Sequence, residues 1–316
     1  MRARKLISSF FTRHRIAVVG LILGAFALVI AQANSGSGDY TFEPGLNASA
    51  ENPGLVVELK DERDTQLFLP SGYKAENPVP LLINLHGYTG TGASQTLYTY
   101  LQDATNEAGV AYIAPNGTKD NLENNFWNAG KSCCNFNKKD VDDIAYLDEL
   151  IDKALQAASI NADKVYLFGH SNGAFMSYTY LCSGTTKIAA VAGLAGAMDL
   201  DSNTCKSKPG NILHIHGELD ETILYQGGAL FGNRFTSADQ TIEKWSVINS
   251  CRQNQQSEID LLDSIDGVDT TKEIYLCSQG ALELWRLPQG SHTPALDLDF
   301  ARNVLTWLMT HEAKRI

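Results

Sequence analysis

The chain has 316 residues, 44% apolar and 19% charged, a composition that suits a globular protein and excludes disorder or coiled coil as its main state. Its formal charge is −11; the first 33 residues carry five basic side chains and no acid, so the remainder holds 20 basic against 36 acidic groups, −16 formally. That sign excludes nucleic acid and anionic membrane surfaces as expected partners, since both reward clustered Lys and Arg.

Met1 to Arg15 is basic, with Arg2, Arg4, Lys5, Arg13 and Arg15. Ile16 to Ile30 is a 15-residue apolar run, and Ala31-Gln32-Ala33 places small residues after it. This is the order of a secretory signal peptide, and the run is shorter than the ~20 residues of a membrane-spanning helix. The expectation is a signal over residues 1–33, a short Gly/Ser-rich lead over 34–54 and one folded domain over 55–316. The mature protein would be secreted, extracellular or periplasmic, without stable membrane association; an uncleaved anchor is the alternative.

All six cysteines lie beyond the signal: Cys133, Cys134, Cys182, Cys205, Cys251 and Cys277. An even count in an exported chain favours disulfides, and six cysteines allow 15 pairings, among which the sequence does not choose. No C-x-x-C is present, so a zinc site is disfavoured.

Leu55–Leu59 and Thr65–Leu69 flank a charged turn and predict a hairpin. Leu81–Leu85 is a short apolar strand ending in His86-Gly87. A helical segment then runs to Ala108, and Val110–Ala114 is the next strand. Pro115 to Lys139 is long and irregular, the kind of stretch that is functional or pinned by cross-links. Val141–Ala158 has helical periodicity, with Ile144, Leu147, Leu150, Ile151, Ala154 and Leu155 on one stripe. Lys164–Phe168 predicts a strand, followed by a helix from about Asn172. Ile188–Leu194 and Asn211–Ile215 repeat the strand pattern, and Ser237–Asn249 reads as a polar helix. Glu273–Leu276 and Leu282–Leu287 read as late strands. Pro294–Glu312 is expected to close the chain as a helix, with proline near its first turn. Short apolar strands alternating with helices predict an α/β domain: a mostly parallel central sheet with helices on both faces and an antiparallel hairpin at its N-terminal edge.

Gly169-His170-Ser171-Asn172-Gly173 fits G-x-S-x-G, with a strand before it and a helix after it. That setting marks a nucleophile elbow. A serine hydroxyl needs a base to take its proton, and in this architecture the chain order is Ser, acid, His. Asp220 follows the strand Asn211–Ile215 and is the chosen acid; Asp199 and Asp201 are fallbacks. His292, in a turn between the last strand and the last helix, is chosen as base over His311. The oxyanion of a tetrahedral intermediate needs positioned donors. The backbone N–H groups of Asn172 and Tyr88 are the candidates.

No metal and no cofactor is expected. His214 and His216 alternate on one strand and have no third ligand, so they are taken as packed histidines. Asp199, Asp201 and Asn203 have calcium-loop spacing, but Thr204 and Gly210 stand where that loop needs Gly and Glu. No dinucleotide or Walker pattern occurs at a strand–helix junction.

LLINLHGYTG, FWNAGKSCCNF, VDDIAYL, VYLFGHSNGA, ILHIHGELDETILYQGG and GSHTP together resemble the secreted polyhydroxybutyrate depolymerase and feruloyl esterase family of α/β-hydrolases. The likeness covers most of the chain beyond the signal. It implies Ser171, Asp220 and His292 as a catalytic triad. It also implies a Cys251–Cys277 disulfide, with the other four cysteines stapling the loops near Trp127 and Asn203. Relatives often carry Trp after the base histidine, whereas the run here is GSHTPAL, and no Thr-rich linker or further binding domain is expected after the catalytic body. Soluble or oligomeric esters are therefore expected over crystalline polymer. Tyr88 and Trp127 are candidate substrate contacts, since rigid aromatics stack on an aromatic acyl group; Tyr98 and Phe126 read better as core. The expected function is a serine carboxylic-ester hydrolase acting on feruloyl-type esters or hydroxyalkanoate oligomers. A peptidase or acyltransferase on the same fold, or a non-catalytic binding module, are the alternatives.

Overall fold

Fourteen strands are seen in the computed structural model, which describes residues 54–198, 208–259 and 270–313. The expected signal and lead, together with Asp199, Asp201, Asn203 and Cys205, lie outside the described residues.

Ten strands share one sheet. In chain order they are β1 (Val56–Glu58), β2 (Gln66–Phe68), β3 (Val79–Leu85), β4 (Ala111–Ile113), β7 (Ile160–His170), β8 (Ala190–Leu194), β9 (Asn211–Gly217), β12 (Cys251–Ile259), β13 (Thr270–Cys277) and β14 (Ala281–Leu287). Two small ribbons stand apart, β5 (Thr118–Lys119) with β6 (Asn125–Phe126) and β10 (Gly228–Leu230) with β11 (Asn233–Phe235). The large sheet runs β1-β2-β4-β3-β7-β8-β9-β14-β13-β12. Its centre, β4 to β14, is parallel, and β1–β2–β4 form the expected antiparallel edge.

Six helices cover it: α1 (Gly92–Thr99), α2 (Leu101–Ala108), α3 (Asp143–Ala157), α4 (Asn172–Ser183), α5 (Ala238–Ile248) and α6 (Leu298–Met309). The strands alternate between two cores. Leu81, Ile83, Val165, Leu167 and Ile212 face α3, α4 and α5, whereas Leu82, Tyr166, Phe168, Leu213 and Ile215 face α2 and α6. Period-two alternation with both faces buried explains why the central strands read as continuous apolar runs. Each fully buried Phe300, Leu305 or Leu308 of α6 contributes roughly 1.5–3 kcal/mol relative to exposure.

Three elements depart from expectation. The helix to Ala108 is two helices, because Tyr100 takes a left-handed conformation (φ 55°) between them. The closing helix begins at Leu298, four residues beyond Pro294, because the Asp297 side chain accepts the Phe300 N–H and caps it there. The second antiparallel edge, β12 on β13, was unforeseen for β12: its sequence CRQNQQSEI has no apolar alternation. Cys251 stands directly opposite Cys277 in that ribbon, and the two form the disulfide the family likeness implied. The remaining pairing, open in the sequence, includes a vicinal Cys133–Cys134 disulfide; Cys182 is also disulfide-bonded. No helix among the described residues is long and apolar enough to cross a membrane.

Candidate active site

Four loops meet above the carboxyl ends of β3, β7, β9 and β14, where open α/β sheets place their ligands. Ser171 is the turn between β7 and α4. Its backbone is held at φ 53°, ψ −120°, a region a non-glycine residue occupies only when its surroundings force it. The Ser171 N–H donates to Leu194 O at 2.8 Å. The tightness of this turn explains Gly173: a Cβ there would lie 2.6 Å from the Leu85 carbonyl carbon and 2.8 Å from His86 O, both backbone atoms that cannot yield. At Gly169 a Cβ would meet the backbone of Gly173 and Ala174.

His292 Nε2 lies 2.9 Å from Ser171 Oγ, and His292 Nδ1 lies 2.9 Å from Asp220 Oδ2. The three residues are 3–7% exposed, so this line is shielded from water but reachable at the serine end. Asp220 lies in the turn after β9. Its Oδ1 accepts the N–H groups of Thr222 (2.9 Å) and Ile223 (2.8 Å), and His216 Nε2 stands 3.2 Å from Oδ2. Burial pushes the Asp220 carboxyl up, but hydrogen bonds from His216 and His292 and the nearby imidazoles outweigh it and hold it well below the usual carboxylate range. The carboxylate is therefore ionised at neutral pH and acts only as an acceptor.

Two histidines that sequence reasoning left without a role hold the loops in place. His170 Nε2 donates to the His292 carbonyl at 2.9 Å, tying the elbow to the loop that carries the imidazole. His86 Nδ1 donates to Gly87 O at 2.7 Å, and its Nε2 accepts the Gly117 N–H at 2.8 Å. Burial drives both pKa values down, His170 to about 3 with help from His292, and His86 to about 4. Both rings are thus neutral and fixed in tautomer. Their signal in the sequence was only a histidine next to a motif; the partners lie up to 122 residues away.

The His86-Gly87-Tyr88 turn passes over the serine: a Cβ on Gly87 would come within 3.2 Å of Ser171 Cβ. Within this turn Thr89 N–H is spent on Asn125 O and Gly90 N–H on Gly87 O. The Tyr88 N–H has no acceptor among the described residues, and the Asn172 N–H opens α4, where no intrahelical acceptor exists. Tyr88 Oη donates to Asp120 Oδ2 at 2.5 Å, which fixes the ring.

Trp127 departs from its expected place as a substrate contact. It is fully buried, its Nε1 donates to His86 O at 3.0 Å, and its ring packs on His86 and Tyr146. Its backbone N–H donates to Asn172 Oδ1 (2.7 Å) and its carbonyl accepts from Asn172 Nδ2 (2.9 Å). Trp127 thus locks the residue after the serine and offers no open face. Cys133 Sγ lies 3.7 Å from the same Asn172 Nδ2. The aromatic surface lies elsewhere: Tyr88 meets Phe136 edge-on at 5.4 Å, Phe136 meets Phe231 at 4.8 Å, and Phe231 on the β10–β11 turn is 60% exposed. Neither phenylalanine was singled out in the sequence, because each stands in an irregular loop without periodicity. Tyr98 lies against His170 with its ring tilted and donates to Pro294 O, and Phe126 is buried in the core. His311 lies just beyond the end of α6 against Trp307, away from the serine. His214 and His216 are packed and hydrogen-bonded, and no cluster of metal-ligating side chains occurs among the described residues.

Residues 72–263 match the family model of phospholipases and carboxylesterases. The chain belongs to that family. The phospholipase/carboxylesterase match includes Ser171 and Asp220 and ends before His292. Over 198 residues the chain is 30% identical to feruloyl esterase B of Piromyces equi, covering 58% of this chain and 34% of that protein. Over 192 residues it is 26% identical to a probable feruloyl esterase C of Aspergillus niger, covering 58% and 66% respectively. The acetyl xylan esterase of Aspergillus awamori superposes with a TM-score of 0.57 over 81% of this chain and 98% of that one, at 12% identity. That likeness establishes the shared α/β-hydrolase fold. The chain spans about a third of the length of the first curated relative it matches.

Proposed function

We propose that this protein is a secreted serine carboxylic-ester hydrolase that works through an acyl-enzyme and prefers esters of aromatic acids. The observation that carries the reading is the continuous line from Ser171 Oγ through His292 to Asp220, each step at 2.9 Å. Ser171 Oγ attacks the ester carbonyl carbon while its proton passes to His292 Nε2. The oxygen of the tetrahedral intermediate takes up the negative charge and is met by the Tyr88 and Asn172 N–H groups. Collapse breaks the bond to the alcohol oxygen, which leaves with the proton from His292. Water then repeats the sequence on the acyl-serine, giving the free acid and restoring the serine. Asp220 keeps the His292 proton on Nδ1, so that Nε2 faces the serine as an acceptor.

The preference for aromatic acids is supported by the Tyr88–Phe136–Phe231 series, which begins at the loop over Ser171 and runs outward to an exposed ring. The two feruloyl esterases to which the chain is similar act, by name, on esters of an aromatic acid. Export is supported by the disulfides, which persist in oxidising compartments. Neutral ester substrates suit the acidic chain, and the chemistry needs no cofactor.

The test has two arms. A fluorophosphonate probe is expected to label wild-type protein at Ser171 and to leave Ser171→Ala unlabelled, with Ser171→Ala inactive on p-nitrophenyl acetate but unchanged in thermal unfolding. A panel of methyl ferulate, p-nitrophenyl acetate and hydroxybutyrate oligomers is expected to rank methyl ferulate first in kcat/KM. Activity retained by Ser171→Ala refutes the mechanism, and hydroxybutyrate oligomers ranking first refutes the aromatic preference.

A further inference from the structure

Behind Asp220 lies a second hydrogen-bonded line that the ester chemistry above does not use. Tyr178 Oη of α4 is 2.7 Å from His214 Nδ1, His214 Nε2 is 3.3 Å from His216 Nδ1, and His216 Nε2 is 2.7 Å from Ile223 O and 3.2 Å from Asp220 Oδ2. All five residues are buried. The protons on this line can be placed by elimination. His216 Nε2 faces two oxygens that only accept, so it carries a hydrogen. Tyr178 Oη has His214 Nδ1 as its one hydrogen-bond partner among the described residues, so it donates there, and a neutral His214 then carries its hydrogen on Nε2 and gives it to His216 Nδ1. Every donor on the line meets an acceptor, and burial holds His214 well below its ordinary pKa.

We propose that His216, fixed in its Nε2–H tautomer by His214 and Tyr178, is a positioning residue for the Asp220–His292 pair. This rests on the hydrolase reading above. Asp220 Oδ2 is shared between two imidazole N–H donors, and Oδ1 is spent on two backbone amides. The carboxylate therefore has no free rotation, and its four lone pairs are matched by four donors, one of them His292. Removing the His216 donor leaves Oδ2 to His292 alone. The carboxylate becomes more basic, the His292 cation is better stabilised, and the imidazole takes up its proton at a higher pH.

The remaining ionisable groups near the line stay the same in every variant considered. The Tyr225 ring lies 5.5 Å from His216, and Arg286 of β14 stands over Tyr225, paired with Glu273 and Asp239 and near Glu218. On the other side, Glu221 accepts the His292 N–H, while the tilted rings of His170 and Tyr98 follow beyond His292.

Two variants separate positioning from packing. His216→Phe keeps a ring but has no donor, whereas His216→Gln keeps an N–H at the position of Nε2. With p-nitrophenyl acetate, His216→Phe is expected to move the acid limb of the kcat/KM profile up by about half a pH unit or more. His216→Gln is expected to restore the wild-type limb. An unmoved limb in His216→Phe, or an equal loss of kcat in both variants without a shift, overturns the proposal. A direct measurement on the wild type needs neither variants nor turnover: imidazole 15N–1H correlation spectra should show neutral Nε2–H tautomers for both His214 and His216 between pH 6 and 8. A Nδ1–H tautomer or a cation at His216 overturns it. If the probe fails to label Ser171 while the tautomers hold, the hydrolase reading fails and the hydrogen-bond assignment stands.

Discussion

Replacing Asp220 by Asn changes one atom and should abolish catalysis while sparing the fold. An amide has one accepting oxygen and one donating nitrogen, so it can be seated in two ways. In the first, the oxygen keeps the place of Oδ2, and the NH2 group is driven against the Thr222 and Ile223 N–H groups that Oδ1 now accepts. Two buried backbone donors are orphaned, at about 1–3 kcal/mol each. In the second, the oxygen keeps those two amides and the NH2 group faces His292 and His216. His216 loses little, because its Nε2–H still has Ile223 O at 2.7 Å. His292 must present a lone pair at Nδ1, which moves its proton to Nε2, against Ser171 Oγ. The second seating wins by at least about 2 kcal/mol, or some thirtyfold, and in it the imidazole cannot accept the serine proton. The expected loss in kcat on p-nitrophenyl acetate at pH 7.5 is ~10⁴-fold. The thermal midpoint should change by only a few degrees, about what 1 kcal/mol produces in a domain of this size. Activity within tenfold of wild type would show that Asp220 does not set the tautomer, and the account of the site would fall.

Other perturbations test other parts of the structure. Gly173→Ala places a methyl group against the Leu85 and His86 backbone, and should cost about 1–3 kcal/mol in urea unfolding together with most of the activity; a stable, active variant would mean α4 does not pack as described. Phe231→Ala should reduce kcat/KM for methyl ferulate about tenfold through loss of aromatic contact, worth up to about 1.5 kcal/mol, while leaving p-nitrophenyl acetate within twofold; equal losses on both substrates would remove Phe231 from the acyl site. Stability should fall with acid below pH 6.5, because His86, His170 and His214 are held neutral in the fold, with pKa values near 4, near 3 and well below 6.5, whereas the unfolded chain protonates them near 6.5. The unfolded state then binds more protons, so at pH 5 His86 and His170 each cost about 2 kcal/mol, and His214 acts in the same direction. Urea midpoints that stay level from pH 7 to pH 5 would contradict their burial as neutral rings.

What could be read in the sequence was whatever local chemistry dictates. The elbow was legible because a tight strand-to-helix turn around a serine needs glycine on either side, and both glycines meet backbone in the structure. The placement of Asp220 and His292 followed from chain order and from the strands before them. The central strands were legible because burial on both faces leaves apolar runs. β12 was not, since an edge strand with a solvated face can be made almost wholly of polar residues, as CRQNQQSEI is. Trp127 was misassigned for a related reason. Its position beside the paired cysteines is visible, but whether an indole faces a ligand or the interior depends on Asn172 and His86, more than 40 residues away in the chain.

The histidines show most clearly why residue type alone is a poor guide to role. Five of them are buried among the described residues: His86, His170, His214, His216 and His292. His86 and His170 each donate to a backbone carbonyl and hold a loop, and His214 sits between a phenol and another imidazole. His216 touches the carboxylate, but its second nitrogen faces His214. His292 alone among them joins a carboxylate to a hydroxyl. Proton transfer needs that asymmetry: a charge on one side to stabilise the cation, and on the other a group whose proton can leave. His86, His170 and His214 are held neutral by burial and orient the loops without adding positive charge. Asp220 can therefore hold a full negative charge in a buried site and direct it at His292, and the sheet's contribution is to bring β7, β9 and β14 to one end, so that residues 121 positions apart meet at hydrogen-bond distance.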